Sequence, residues 1–332
     1  LNRIVAAWPS DTRPVETWTI CGNLYPHLEH LALHLAVAGE HAPTLVGALN
    51  DASFWLFRVV PDFVQHATTT NDLAERLLGR EHPSALTALD RLATSYQWTG
   101  RNDVAMPIFE QVAVASERVL GRDHHDALSA QANLAVSYRE AGRTQEALSL
   151  QEAVLAARER VSGVDHPHTL TSRANLAVCY REAGRITEAI SLEEAVLADR
   201  ERVLGADHPD TLLAGANLAV SYSAGGRSDE AIALEEAVLD NRERLLGADH
   251  RATLISRANL AVSYWDVGRD DEAIALLEAV IEDRKRSLGE DHPDTATAKA
   301  RLDKWRRDVE AADSNVTGRR VAADRDARFR AG

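Results

Sequence analysis

Residues 205–247 open with Gly205-Ala206-Asp207-His208-Pro209-Asp210-Thr211, continue through Asn217-Leu218-Ala219-Val220-Ser221-Tyr222, turn at Gly225-Gly226-Arg227 and close on Leu245-Leu246-Gly247. In the opening, polar capping side chains precede a proline that needs no amide hydrogen in a first helical turn, so a helix starts there. It runs to about Ser223, and Leu218, Ala219 and Tyr222 recur at helical spacing to give a face that packs on the following helix. The glycine pair ends it, because glycine takes the left-handed C-terminal conformation without a Cβ penalty. A second helix runs from Ser228 to about Leu246 with Ala231, Leu234, Val238 and Leu245 as its apolar stripe, and Gly247 stops it before Asp249-His250. The segment reads as a helical hairpin.

The same pattern returns in phase. His82, His124, His166, His208, His250 and His292 are each 42 residues apart, as are Tyr96, Tyr138, Tyr180, Tyr222 and Tyr264, and Ala105, Ala147, Ala189, Ala231 and Ala273. One hairpin cannot bury its own apolar face, so neighbours must stack, and the expected fold is all-α: a right-handed α-solenoid of stacked helical hairpins. Five full units occupy 79–288. Residues 1–38 are an N-terminal helical segment outside the repeat, and 39–78 a degenerate unit with helices from Thr44 to Phe57 and Asp62 to Leu77. Residues 289–310 supply a capping helix in which Arg306 replaces the recurring tyrosine and Lys299, Lys304 and Arg307 make a charged face. Residues 311–332 are polar and aperiodic, which predicts a flexible tail.

Composition narrows the function. Hydrophobic residues make up 45% of the 332, mostly Ala, Leu and Val, with 5% aromatics, which suits many thin helix seams. A formal charge of -14 opposes nucleic-acid binding and favours neutral or basic partners. With two distant cysteines, Cys21 and Cys179, no membrane-length apolar run and no signal-peptide pattern, the reading is a cytoplasmic protein without membrane association. The chain opens on Leu1 and its only methionine is Met106, so a preceding segment is expected.

No catalytic residue, cofactor or metal site is predicted. The in-phase histidines occupy one corner of successive units, on the order of 10 Å apart, whereas zinc ligands stand about 2 Å from one ion. His124-His125 is the one local pair, and adjacent residues should not both point to one side of a helix. No phosphate-binding loop exists, and no lysine precedes Lys285. Glu193-Glu194 and Glu235-Glu236 recur on the second helices, as on a solvated face. Cys179 stands where Ser137, Ser221 and Ser263 stand in other units, which makes it a packing residue. Asn315-Val316-Thr317 matches the glycosylation triplet without the compartment that uses it. The chain is read as no enzyme.

The motif Asn217-Leu218-Ala219-x-x-Tyr222-x-x-x-Gly226-Arg227-x-x-Glu230-Ala231 closely resembles the tetratricopeptide signature, and the 42-residue unit with Gly-x-Asp-His-Pro resembles its kinesin-light-chain subclass. The resemblance covers residues 79 to 309. The ordinary unit has about 34 residues; here the second helix is longer, and its usual late apolar residue is Gln151, Glu193, Glu235 or Leu277. Trp8-Pro9-Ser10-Asp11, Trp18 and Leu24-Tyr25-Pro26-His27-Leu28 resemble the segment that joins a winged helix to the repeats in bacterial NB-ARC/STAND signal-transduction ATPases. That likeness implies an ATPase domain upstream; an ordinary N-terminal helical cap is the other reading.

On the first helix of a unit, with Asn133 as reference, 100° per residue places Ser129, Val136 and Glu140 on its side and Leu134, Ala135 and Tyr138 on the buried side. The family resemblance implies that the free faces line a concave groove for a protein or peptide ligand. The candidate groove residues are Asn133, Asn175, Asn217 and Asn259, Val136, Val178, Val220 and Val262, with Glu140, Glu182 and Asp266 at the rim and Arg91 and Trp98 at the N-terminal end. Each Asn either holds a ligand backbone, as the kinesin-light-chain likeness implies, or bonds a neighbouring helix. The function expected is a binding scaffold, the sensor or autoinhibitory arm of a signal-transduction ATPase; a stand-alone adaptor and the repeat region of a transcriptional regulator are the rivals.

Overall fold

The computed structural model describes residues 23, 27, 30, 42–59, 63–290 and 292–330, so the Trp8-Pro9 segment lies outside the described residues. Among the described residues there are 13 helices and no strand: α1 Ala42–Val59, α2 Phe63–Leu78, α3 Pro83–Trp98, α4 Asn102–Leu120, α5 His125–Glu140, α6 Thr144–Ser162, α7 Pro167–Glu182, α8 Ile186–Leu204, α9 Pro209–Ala224, α10 Ser228–Leu246, α11 Arg251–Asp266, α12 Asp270–Leu288 and α13 Pro293–Arg330. The chain is an all-α helical solenoid. Helices α3, α5, α7, α9 and α11 open the five units, and α4, α6, α8, α10 and α12 close them.

The in-phase histidine is itself the N-cap. In each unit its Nδ1 accepts the backbone N–H two residues on, as His208 does from Asp210 at 3.1 Å and His82 from Ser84 at 3.2 Å. At the other end of the opening helix Gly226 sits at φ 74°, a conformation that lets Arg227 N–H reach back to the Tyr222 carbonyl at 2.8 Å. The turn also lays the Arg227 guanidinium over the Tyr222 ring, 4.0 Å from its centre, while the Tyr222 hydroxyl donates to Glu194 at 2.8 Å. The same stack recurs at Tyr138 with Arg143, Tyr180 with Arg185 and Tyr264 with Arg269. A five-residue spacing in sequence thereby becomes a clamp.

The chain divides into two compact units, 1–189 and 190–332. In the first, each helix from α1 to α7 packs on the next in sequence, and α1, α3, α5 and α7 also touch one another in succession. Its seam includes Ala93, Ala105, Phe109, Val112, Ala130 and Leu134, so α4 is covered by its own partner α3 and by α5 of the next hairpin. Phe109 is 1% exposed, a burial that contributes about 1.5–3 kcal/mol. In the second unit α9 to α13 pack in the same sequential way. There Ala261, Ala273, Leu277, Ile281, Ala298 and Leu302 form the seam, and Trp305 of α13 stacks on Trp265 at 4.7 Å.

Two expectations are corrected. Glu193 and Glu235 are not on a solvated face: they are 3% and 7% exposed. A closing helix contacts two neighbours, and the column that contains Phe109, Gln151, Glu235 and Leu277 points into that double seam. The other carboxylates, Glu194 and Glu236, accept from the tyrosine hydroxyls. The backbone of 311–330, expected as an aperiodic tail, is helical as the end of α13. No proline follows Pro293, and the single Gly318 costs a helix only about 1 kcal/mol.

A buried arginine column went unread in the sequence. Arg158 donates to the His168 carbonyl at 2.9 Å and to Ser172 Oγ at 2.8 Å, and Arg242 donates to the Ala252 carbonyl at 3.3 Å and to Ser256 Oγ at 2.6 Å. Each staples a closing helix to the first turn of the next opening helix. No helix among the described residues is long and apolar enough to cross a membrane.

Candidate functional site

The opening helices have two unlike sides. In α5 and α7 Leu134, Ala135, Leu176 and Ala177 are buried, while Asn133, Val136, Asn175 and Val178 are half-buried. In α9 and α11 Leu218, Ala219, Leu260 and Ala261 are buried, Asn217, Asn259 and Val262 are half-buried, and Val220 is exposed. Each opening helix therefore has a buried side and a less buried side.

In the first unit part of this face is already used. Asn133 Nδ2 donates to both carboxylate oxygens of Asp90 at 3.0 Å, tying α5 to α3. The structural role, one of two readings open for the asparagines, thus holds at this position. Burial pushes the Asp90 carboxyl up, while Arg91 and the Asn133 amide oppose that shift. Arg91 also acts on Asp51, which makes it a charge-balancing residue as well as a surface cation. Two rim carboxylates are similarly engaged: Gln97 Nε2 donates to Glu140 at 2.8 Å and Arg139 to Glu182 at 2.7 Å. Trp98, 55% exposed at the end of α3, presents a large aromatic surface.

The second unit carries exposed aliphatic side chains beside the predicted positions. Leu213 on α9 and Ile255 on α11 are 48% and 39% exposed, and each lies four and seven residues before the predicted Asn and Val of its helix. That spacing puts Leu213, Asn217 and Val220 on one side of α9, and Ile255, Asn259 and Val262 on one side of α11. Asp266 is exposed at the end of α11. Leu213 and Ile255 were not singled out from the sequence. The signal was present, since the same column reads Ser129 and Thr171 in the earlier units.

Sequence profiles described as tetratricopeptide repeat match residues 84–160 and 128–202 in one form, and 211–252 and 253–294 in another. A solved structure from Podosopora anserina, nearly identical TPR-like repeats of a protein described as a kinesin light chain, is 34% identical, and the match covers 63% of this chain and 99% of that one with a TM-score of 0.52. The chain belongs to the tetratricopeptide-repeat family. Two other solved structures agree in fold alone. BtubC (BKLC) from P. vanneervenii is 18% identical over 76% of this chain and 93% of its own, with a TM-score of 0.52. A Rap protein complexed with Competence and Sporulation Factor is 12% identical over 93% and 84%, with a TM-score of 0.57. No curated protein matches in sequence. Tetratricopeptide repeats generally mediate protein–protein interaction and are typically non-enzymatic.

The remaining chemistry on this tetratricopeptide scaffold is mostly structural. Cys179 is buried, and burial pushes its thiol up to about 11, far from a nucleophile's range. Five of the six in-phase histidines cap helices with no further histidine adjacent in sequence. The expectation that His124 and His125 diverge is corrected: their rings stack at 4.4 Å. His124 precedes the helix in extended backbone, φ -70° and ψ 139°, so the spacing rule for a regular helix does not apply to the pair.

Proposed function

We propose that the chain is a scaffold that binds an extended segment of a partner protein, and that it works as the sensor arm of a signal-transduction ATPase. The observation that carries the binding reading is the apolar face of the second unit, Leu213 and Val220 flanking Asn217 and Ile255 beside Asn259. Helix amides can meet a peptide backbone while the aliphatic side chains take its apolar residues. The net charge of -14 selects a neutral or basic segment. The Rap protein, similar in fold alone, was solved in complex with Competence and Sporulation Factor, which supports the reading.

The test is capture from a lysate of the source organism, followed by titration of the captured protein. Replacing Asn217 and Asn259 by alanine leaves helicity intact and weakens binding by about ten- to several-hundred-fold, the loss for one or two unsatisfied amide contacts. Leu213→Ala with Ile255→Ala should weaken it as well. Equal affinity in both double variants would remove this face from the account. The sensor-arm reading is tested separately by the gene sequence upstream: a phosphate-binding loop supports it, and an open reading frame without one leaves an adaptor.

A further inference from the structure

The unit that starts at Gly121 carries a different residue directly after its capping histidine. After the capping histidine the other units carry Pro83, Pro167, Pro209, Arg251 and Pro293, and here the residue is His125. Helix initiation does not explain the change. His124 already accepts the Asp126 N–H at 3.2 Å, and proline is the better residue in a first helical turn. The next unit has its own departure one position further on, where His168 stands in the column of Ser84, Asp126, Asp210, Ala252 and Asp294.

The departure at position 125 makes a local cluster of donor atoms. His125 Nδ1 is 2.9 Å from Asp126 Oδ1, and single donor atoms of His124, His125 and Asp126 all lie within 4.8 Å of one another. We propose that His124, His125 and Asp126 form a binding site for a divalent transition-metal ion of the zinc or nickel class.

Imidazole nitrogens with one carboxylate are the donor set such ions take, in preference to the all-oxygen cages of calcium and magnesium. Donors about 2.1 Å from a tetrahedral ion stand roughly 3.4 Å apart. A cluster within 4.8 Å therefore closes by side-chain rotation, and His125 is exposed to solvent. Metal binding also requires neutral rings. His124 Nδ1 is shared with the helix cap, so an ion recruiting that atom competes with the Asp126 amide. His125 and Asp126 are accordingly the ligands expected to matter most.

The experiment is calorimetric titration of the full chain, free of any histidine tag and pre-treated with chelator, with zinc chloride and then nickel chloride. The expected result is one saturable equivalent. His125→Pro restores the residue of the sister units, so it should keep the helix start and the circular dichroism spectrum while weakening uptake by about tenfold or more. If the proline variant loses helicity, His125→Ala replaces it under the same criterion. Absence of saturable uptake, or equal uptake in wild type and the position-125 variant, overturns the proposal.

Discussion

Replacing Glu235 should make the protein more stable, and only above a certain pH. The side chain is 7% exposed in the seam of α10; its environment includes a hydrogen bond with Ser263, and Oε2 is buried without a hydrogen-bond partner. Burial pushes its pKa up, the Ser263 bond opposes this, and the nearby Asp266 charge adds to it. A raised carboxyl pKa means that the folded state holds the proton more tightly than the unfolded one. The resulting destabilisation is absent below the unfolded pKa of about 4.3 and grows as pH rises through the folded value. An unsatisfied buried oxygen costs about 1–3 kcal/mol. Glu235→Leu copies Leu277 of the same column, which is 1% exposed, and removes the oxygen, whereas Glu235→Gln copies Gln151, whose Oε1 is likewise buried without a partner, and removes only the charge. Removing the cost should raise the melting midpoint by about 2–10 °C at pH 7.5, using the slope for a body of about 150 residues. Thermal melts followed by circular dichroism at pH 7.5 and pH 4 measure it. The gain of Glu235→Gln should shrink at the lower pH. A destabilised Glu235→Leu at pH 7.5, or a gain of Glu235→Gln undiminished at pH 4, would refute the account.

Arg242→Met keeps the aliphatic stem but strands Ser256 Oγ and the Ala252 carbonyl, and should cost about 1–3 kcal/mol in urea denaturation. Loss of the cap in His208→Ala should cost about 1 kcal/mol by the same measurement, with His208→Asn recovering most of it. Deleting Gly289 to Gly332 removes α13, uncovers Leu277, Ile281 and Trp265, and should turn a monomer into associating species in light scattering; an unchanged mass and melt would count against a capping role. In the first unit, Asn133→Ala should lower the melting midpoint, because it leaves the Asp90 carboxylate without its amide donor, whereas Asn259→Ala should leave stability unchanged.

The fold was legible because the repeat writes the same instruction many times. One hairpin, Asp207 to Leu246, supplies a helix start, two apolar stripes and two glycine stops, and a 42-residue period forces such hairpins to stack. The burial of Leu134 and Ala135 against the open side of Asn133 followed from a 100° step alone. Where a side chain has one covered and one open side, periodicity is enough. It failed at Glu235 and Arg242, since a closing helix has two neighbours and a polar residue in its pattern looks solvated until the second one is in place. It failed again at His125, where a bend into the helix, absent from any periodic rule, stacks two adjacent rings. The sequence by itself determined the hairpins, their order and the side of each opening helix that packs. Only the tertiary structure decided which asparagine is held by Asp90 and which carboxylate is buried, because those pairings join residues 14 to 43 positions apart whose distances are set by helix stacking.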